Sequence, residues 1–117
     1  MKKKIIKPWG YELLIEKNSN YMFKKLYMKK GHRCSLQYHN KKTETIFVLK
    51  GRLKIYFGTN RKKLKSKILK PGETMTIKRK LIHRMFGVTN ALYLEASTPE
   101  ILDVIRLSDD YKRSTIY

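Results

Sequence analysis

The sequence predicts an all-β fold: a small β-barrel or sandwich of jelly-roll type with a short C-terminal helical turn. Three observations carry that reading. Apolar and polar side chains alternate with a period of two through most of the chain. Asn, Gly, Pro and Thr clusters cut this pattern into about nine short segments. No apolar stretch approaches the ~20 residues of a membrane span, and 117 residues suffice for one core only, so 1–117 reads as a single domain.

Pro8 keeps Lys7 out of helical geometry, so residues 7–11 enter extended, with Trp9 as a lid over one mouth of the barrel. Residues 11–15 make a first strand, and Asn18, Ser19 and Asn20 a turn. Residues 21–28, rich in aromatics, make a second strand, stopped by Lys29, Lys30 and Gly31. Residues 36–39 and 45–49 form a pair. Leu53, Ile55 and Phe57 alternate with Lys54 and Tyr56 in a half-buried strand that ends at Gly58. The period resumes through Leu64, Ser66 and Ile68 up to a Pro71-Gly72 turn. Residues 74–77, 81–86 and 91–96 read as further strands. Thr98 as N-cap, Pro99 at the first helical position and Glu100 in the first turn open a short helix through 101–105.

Chemistry concentrates between Gly31 and Gly51. Gln37 and His39 are two apart, so on a strand they share a face. A polar turn follows, and Glu44 opens the apolar run Ile46, Phe47, Val48, Leu49. A fourth donor is His83, within LIHRMF. Two imidazoles, a carboxylate and an amide oxygen form a ligand set suited to Zn²⁺, Fe²⁺, Mn²⁺ or Ni²⁺. His32 has the wrong parity to join Gln37 and His39 and reads as structural. Cys34 fits no ligand position and reads as a small buried hydrophobe.

The spacing of Gly31, Gln37, His39, Glu44 and Gly51 resembles the first cupin motif, with Gln in place of its first His. Gly72, Lys78, Lys80 and His83 give a poorer second motif. Together with Pro8-Trp9-Gly10, CSLQYHNKKTE and a late IRxxDDYxR at residues 105–113, the chain resembles type II phosphomannose isomerase from about Lys7 to Arg113. The resemblance implies a cupin jelly-roll barrel that interconverts mannose 6-phosphate and fructose 6-phosphate, with zinc as the first choice of metal, and a homodimer. In that family the cupin often follows a sugar-nucleotide guanylyltransferase, for which 117 residues leave no room. The alternative is a non-catalytic cupin that binds a sugar or sugar nucleotide beside a separate enzyme. A nucleotide-sugar ketoisomerase usually keeps His at both first-motif positions, and Gln37 argues against it.

An aldose–ketose isomerisation needs a metal beside the carbonyl and hydroxyl, a base between C1 and C2, and a cationic hold on the phosphate. The resemblance places Gln37, His39, Glu44 and His83 on the metal, and Glu44, Arg106 and Lys24 in catalysis. It places Arg33, Arg106 and Lys42 on the substrate. Asp109, Asp110, Tyr111 and Arg113 match the family's tail, where two carboxylates clamp a basic barrel by ion pairs. The chain departs from the family where Lys42 replaces Arg and Ile46 replaces Trp, and the segment after Glu95 is short.

Charge sets the remaining expectations. Twenty-eight Lys and Arg against nine Asp and Glu give +19, spread along the chain without a nucleic-acid-binding signature. That reads as a solvated lysine coat, with non-specific polyanion binding at low salt and no specific nucleic-acid partner. One cysteine fits a reducing compartment, and no apolar segment follows Lys2 to Lys4, so a cytoplasmic protein without membrane attachment is expected.

Overall fold

The alternation becomes eleven strands and no helix in a computed structural model that describes residues 2–113. These are β1 (Lys3–Lys7), β2 (Gly10–Lys17), β3 (Met22–Met28), β4 (Leu36–Tyr38), β5 (Glu44–Lys50) and β6 (Leu53–Gly58). They continue as β7 (Lys65–Leu69), β8 (Thr74–Ile77), β9 (Ile82–Gly87), β10 (Ala91–Ser97) and β11 (Ile105–Ser108). They form a six-stranded sheet, β1-β2-β3-β10-β5-β8, and a five-stranded sheet, β11-β4-β9-β6-β7. Every pairing is antiparallel. The architecture is a cupin jelly roll, as the sequence predicts.

The inner faces follow the period of two, and their chemistry changes along each strand. In β5, Val48 and Ile46 are buried in the core and Glu44 ends the same row. In β10 the buried row runs Ala91, Tyr93, Glu95, Ser97. In β3 it runs Met28, Leu26, Lys24, and in β9 Met85 precedes His83. Register sets these rows side by side: Tyr93 lies opposite Leu26 and Val48, and Glu95 opposite Lys24 and Ile46. One end of the interior is therefore an apolar cluster of Leu26, Met28, Ile46, Val48, Ile55 and their neighbours. Each fully buried aliphatic there contributes ~1.5–3 kcal/mol. The other end is polar, and that polarity was encoded at the ends of the strands.

Two expectations need correction. Residues 101–105 are not helical: a turn at Ile101 and Leu102 leads into β11. Thr98 has the right chemistry for an N-cap, but its Oγ1 accepts from the Thr43 N–H at 3.1 Å and its N–H donates to the Thr43 carbonyl at 3.0 Å. The segment ties down the ligand turn instead of starting a helix. Residues 3–7 form β1, which the sequence reading leaves out, and β1 covers the edge of β2. The strand expected at 11–15 is thus internal to the sheet, between β1 and β3.

Gly10 fixes the entry beside Trp9. Its φ is +154°, and a Cβ there would sit 1.8 Å from the Tyr27 carbonyl oxygen. Trp9 is 4% exposed and packs into the core, with its carbonyl accepting from the Lys29 N–H at 2.9 Å.

Candidate metal centre

At the polar end of the interior a cavity of about 80 Å³ is lined by His39, Glu44, His83 and Gln37, by Lys24, Lys42 and Arg106, and by Glu12 and Glu95. His39 lies just beyond β4 and Glu44 opens β5, so the turn 40–43 folds one against the other. His83 arrives on β9, whose partner in register on β4 is Gln37.

Ligand atoms of His39, Glu44 and His83 all fall within 4.8 Å of one another, and all three residues are buried. His39 Nε2 is 2.8 Å from Glu44 Oε1, and His83 Nε2 is 3.7 Å from the same oxygen. Two ligands at ~2.1 Å from one ion lie about 3.0–3.4 Å apart, so these separations bracket a coordination site. Each histidine is held by its other nitrogen: His39 Nδ1 lies 2.6 Å from the Asp103 carbonyl and His83 Nδ1 2.9 Å from that of Leu81. Donation from Nδ1 fixes each ring with Nε2 facing Glu44, the orientation metal-binding imidazoles adopt, and leaves His39 Nε2 at hydrogen-bond distance from Glu44 Oε1. Glu44 Oε2 and His83 Nε2 are buried with no hydrogen-bond partner among the described residues. Two orphaned buried acceptors side by side cost several kcal/mol unless a cation satisfies both.

Electrostatics agree. Burial alone would raise the Glu44 carboxyl, but the Lys42 ammonium and the two histidines hold it at about 2. Burial pushes His83 down to about 4, with His39 adding to the effect against the pull of Glu44. At neutral pH the site therefore offers a carboxylate and a neutral imidazole, both in metal-binding form. Two histidines and one carboxylate fit Zn²⁺ or Fe²⁺ with coordination positions left open.

The other expected residues separate. Gln37 lines the cavity, with its Nε2 donating to Cys34 Sγ at 3.7 Å. Lys24 lines it too, but its Nζ is 3.0 Å from Glu12 Oε1, and Lys7 Nζ is 3.3 Å from Glu12 Oε2. Lys42 Nζ faces Glu95 Oε2 at 3.9 Å. Arg33, expected on the substrate, is not among the cavity's lining residues: its guanidinium forks onto Asp110, with Nε to Oδ2 at 2.6 Å and Nη2 to Oδ1 at 2.9 Å. Asp110 draws it to the tail, as Asp109 draws Arg113. Tail ion pairs are present, then, and one of the expected phosphate ligands belongs to them.

Sequence reasoning missed Glu12, Glu95 and Asp103. Parity could have found Glu95, which shares a face with Tyr93. Asp103 had no local signal: its carboxylate accepts from the backbone N–H groups of Asn40, Lys41 and Lys42 at 3.0, 2.6 and 2.9 Å. It holds the ligand turn from sixty residues away.

A family model described as mannose-6-phosphate isomerase C-terminal matches residues 1–108. No curated protein matches the chain by sequence. Among solved structures, KdgF from Halomonas sp. superposes with a TM-score of 0.73 at 12% identity, covering 86% of this chain and 88% of that one. The capsular polysaccharide assembling protein CapF from Staphylococcus aureus gives 0.78 at 16%, covering 92% of this chain and 34% of CapF. Oxalate decarboxylase from Bacillus subtilis gives 0.79 at 13%, covering 91% and 30%. The chain spans about a third of the latter two. At these identities the likeness is one of fold.

Proposed function

Because the chain belongs to the mannose-6-phosphate isomerase C-terminal family of cupins, we propose that it is a metal-dependent isomerase interconverting mannose 6-phosphate and fructose 6-phosphate. One observation carries this reading: a cavity that presents a His39–Glu44–His83 donor set also presents the cations Lys24, Lys42 and Arg106. Metal donors suit the sugar's carbonyl and hydroxyl oxygens, and the cations suit its phosphate.

His39, Glu44 and His83 hold the ion, with Gln37 beside them as the fourth donor, and zinc is the first choice. The chemistry such an ion supplies when bound is polarisation of adjacent oxygens, which acidifies the C–H between them. The protein's own part is positioning. Asp103 fixes the turn that carries His39 and Glu44. Arg106 holds the phosphate, and Lys42 lends positive charge beside the reacting carbons. Trp9 closes the apolar side of the cavity.

A coupled assay with metal-loaded protein tests the proposal. Turnover of mannose 6-phosphate is expected, and Arg106→Ala should raise KM roughly ten- to a hundredfold, the value of a charge-assisted phosphate contact. A second reading draws on the ion pairs: Lys24, Lys42 and Arg33 each face a carboxylate, which weakens their hold on a phosphate. In that reading the cupin binds a sugar or sugar nucleotide without catalysis, beside a separate enzyme. Binding of fructose 6-phosphate without turnover would select it. The protein is proposed to act as a homodimer.

A further inference from the structure

We propose that Glu95 is the base that moves the proton between C1 and C2, an assignment that rests on the isomerase reading above. An aldose–ketose isomerase needs a group that takes a proton from one carbon and returns it to the next, within hydrogen-bond reach of both. Among the described residues, three carboxylates line the cavity: Glu12, Glu44 and Glu95.

Two of the three are committed elsewhere. Glu44 Oε1 faces both histidines, so that carboxylate belongs to the metal donor set. Glu12 has an ammonium on each oxygen, Lys24 at 3.0 Å and Lys7 at 3.3 Å. Burial alone would raise its carboxyl, but the two lysines outweigh that and lower it, which makes it a poor base. Tyr93 also lines the cavity, but burial pushes its phenol well above its ordinary range.

Glu95 is different. It is 5% exposed, and its one ion-pair contact among the described residues is Lys42 Nζ at 3.9 Å, beyond hydrogen-bond distance. Lys24, its cross-strand neighbour on β3, is turned to Glu12. On β5 its partner in register is Ile46, two residues from Glu44 on the same inner face. Glu95 is therefore a diagonal neighbour of Glu44, with side-chain roots about 7–8 Å apart. A sugar bound against the His39–Glu44–His83 donor set would lie across that gap from Glu95, and both line the one cavity.

Proton bookkeeping closes on this residue. The Glu95 carboxylate takes the C2 proton of the aldose. The C–H electron pair forms the C1–C2 double bond, and the carbonyl pair moves onto O1. The enediolate then takes the proton back at C1 as the O2 proton departs to O1, giving the ketose and restoring the carboxylate. No oxidant or further reactant is needed.

The test compares wild-type, Glu95→Gln and Glu95→Asp proteins, each loaded with zinc. Turnover of mannose 6-phosphate, metal content, melting temperature and fructose 6-phosphate affinity are measured, the last by fluorescence of Trp9, the chain's one tryptophan. Glu95→Gln should lower kcat by about 10²–10⁴-fold with KM, metal and sugar affinity nearly unchanged. Glu95→Asp keeps the charge but withdraws it by one methylene, and should retain metal and fold while losing about tenfold or more in kcat. A Glu95→Gln protein as active as wild type overturns the assignment and leaves the isomerase reading standing. Loss of metal or melting temperature in step with kcat, together with a fully active Glu95→Asp, shows instead a structural partner for Lys42. A wild-type protein that binds the sugar but turns none over ends the isomerase reading and this assignment with it.

Discussion

His83 and Glu44 make the protein's stability depend on acid in a defined way. The ordinary value for His83 is 6.5 and burial sets it at about 4 when folded. Between those values the unfolded chain takes up a proton that the folded chain refuses, so stability falls as pH drops from 6.5 to 4. Glu44 extends the fall: it goes from an ordinary 4.5 to about 2, and its contribution is lost as pH drops through that window. Urea denaturation of metal-stripped protein should show a loss on the order of 3 kcal/mol between pH 7 and pH 4. His83→Leu, which fills the space without a titrating group, should flatten that part of the curve. An equally steep curve in the variant would place the acid sensitivity elsewhere.

At the scale of elements, the ligand turn between β4 and β5 is organised by a segment far along the chain. Asp103 satisfies three backbone N–H groups of the turn with its side chain and His39 Nδ1 with its carbonyl. Asp103→Ala keeps the carbonyl but frees the turn, and metal affinity should fall roughly ten- to a hundredfold, measured by competition with a chelator. Unchanged affinity would mean that the turn holds its shape unaided. This arrangement also explains what the sequence could reveal. Gln37, His39 and Glu44 were legible because the spacing and parity that unite them are local. Parity puts Glu95 on the inner face, but its role, like those of Asp103 and Glu12, was not legible, because it depends on which strands become neighbours. Thr98-Pro99-Glu100 carries a true capping signature, yet the Thr98 hydroxyl bonds across to Thr43, and non-local pairing overrides local propensity. In β1, three lysines around Ile5 and Ile6 hid a strand that the free edge of β2 recruits.

The whole molecule combines a +19 chain with a cavity where acids and bases are interleaved. The excess lies mostly outside the site: Lys62, Lys63, Lys65 and Lys67, for example, are exposed at or beside β7. Binding to heparin or duplex DNA should be weak and non-specific at low ionic strength and essentially gone by about 0.2 M salt. Retention at higher salt, or preference for one DNA sequence, would contradict a solvated coat. Self-association must act against that charge, and light scattering at micromolar concentration should nevertheless give twice the mass of one chain. A monomer would remove the proposed dimer.

Everything proposed for function depends on one ion held by His39, Glu44 and His83. Elemental analysis of the purified protein, beside its Glu44→Ala and His83→Ala variants, tests that most directly. About one divalent ion per wild-type chain, zinc first, and little in either folded variant is the expected result. A wild-type chain that takes up no divalent ion even when supplied with zinc, iron or manganese, or variants that bind as much as wild type, would contradict it.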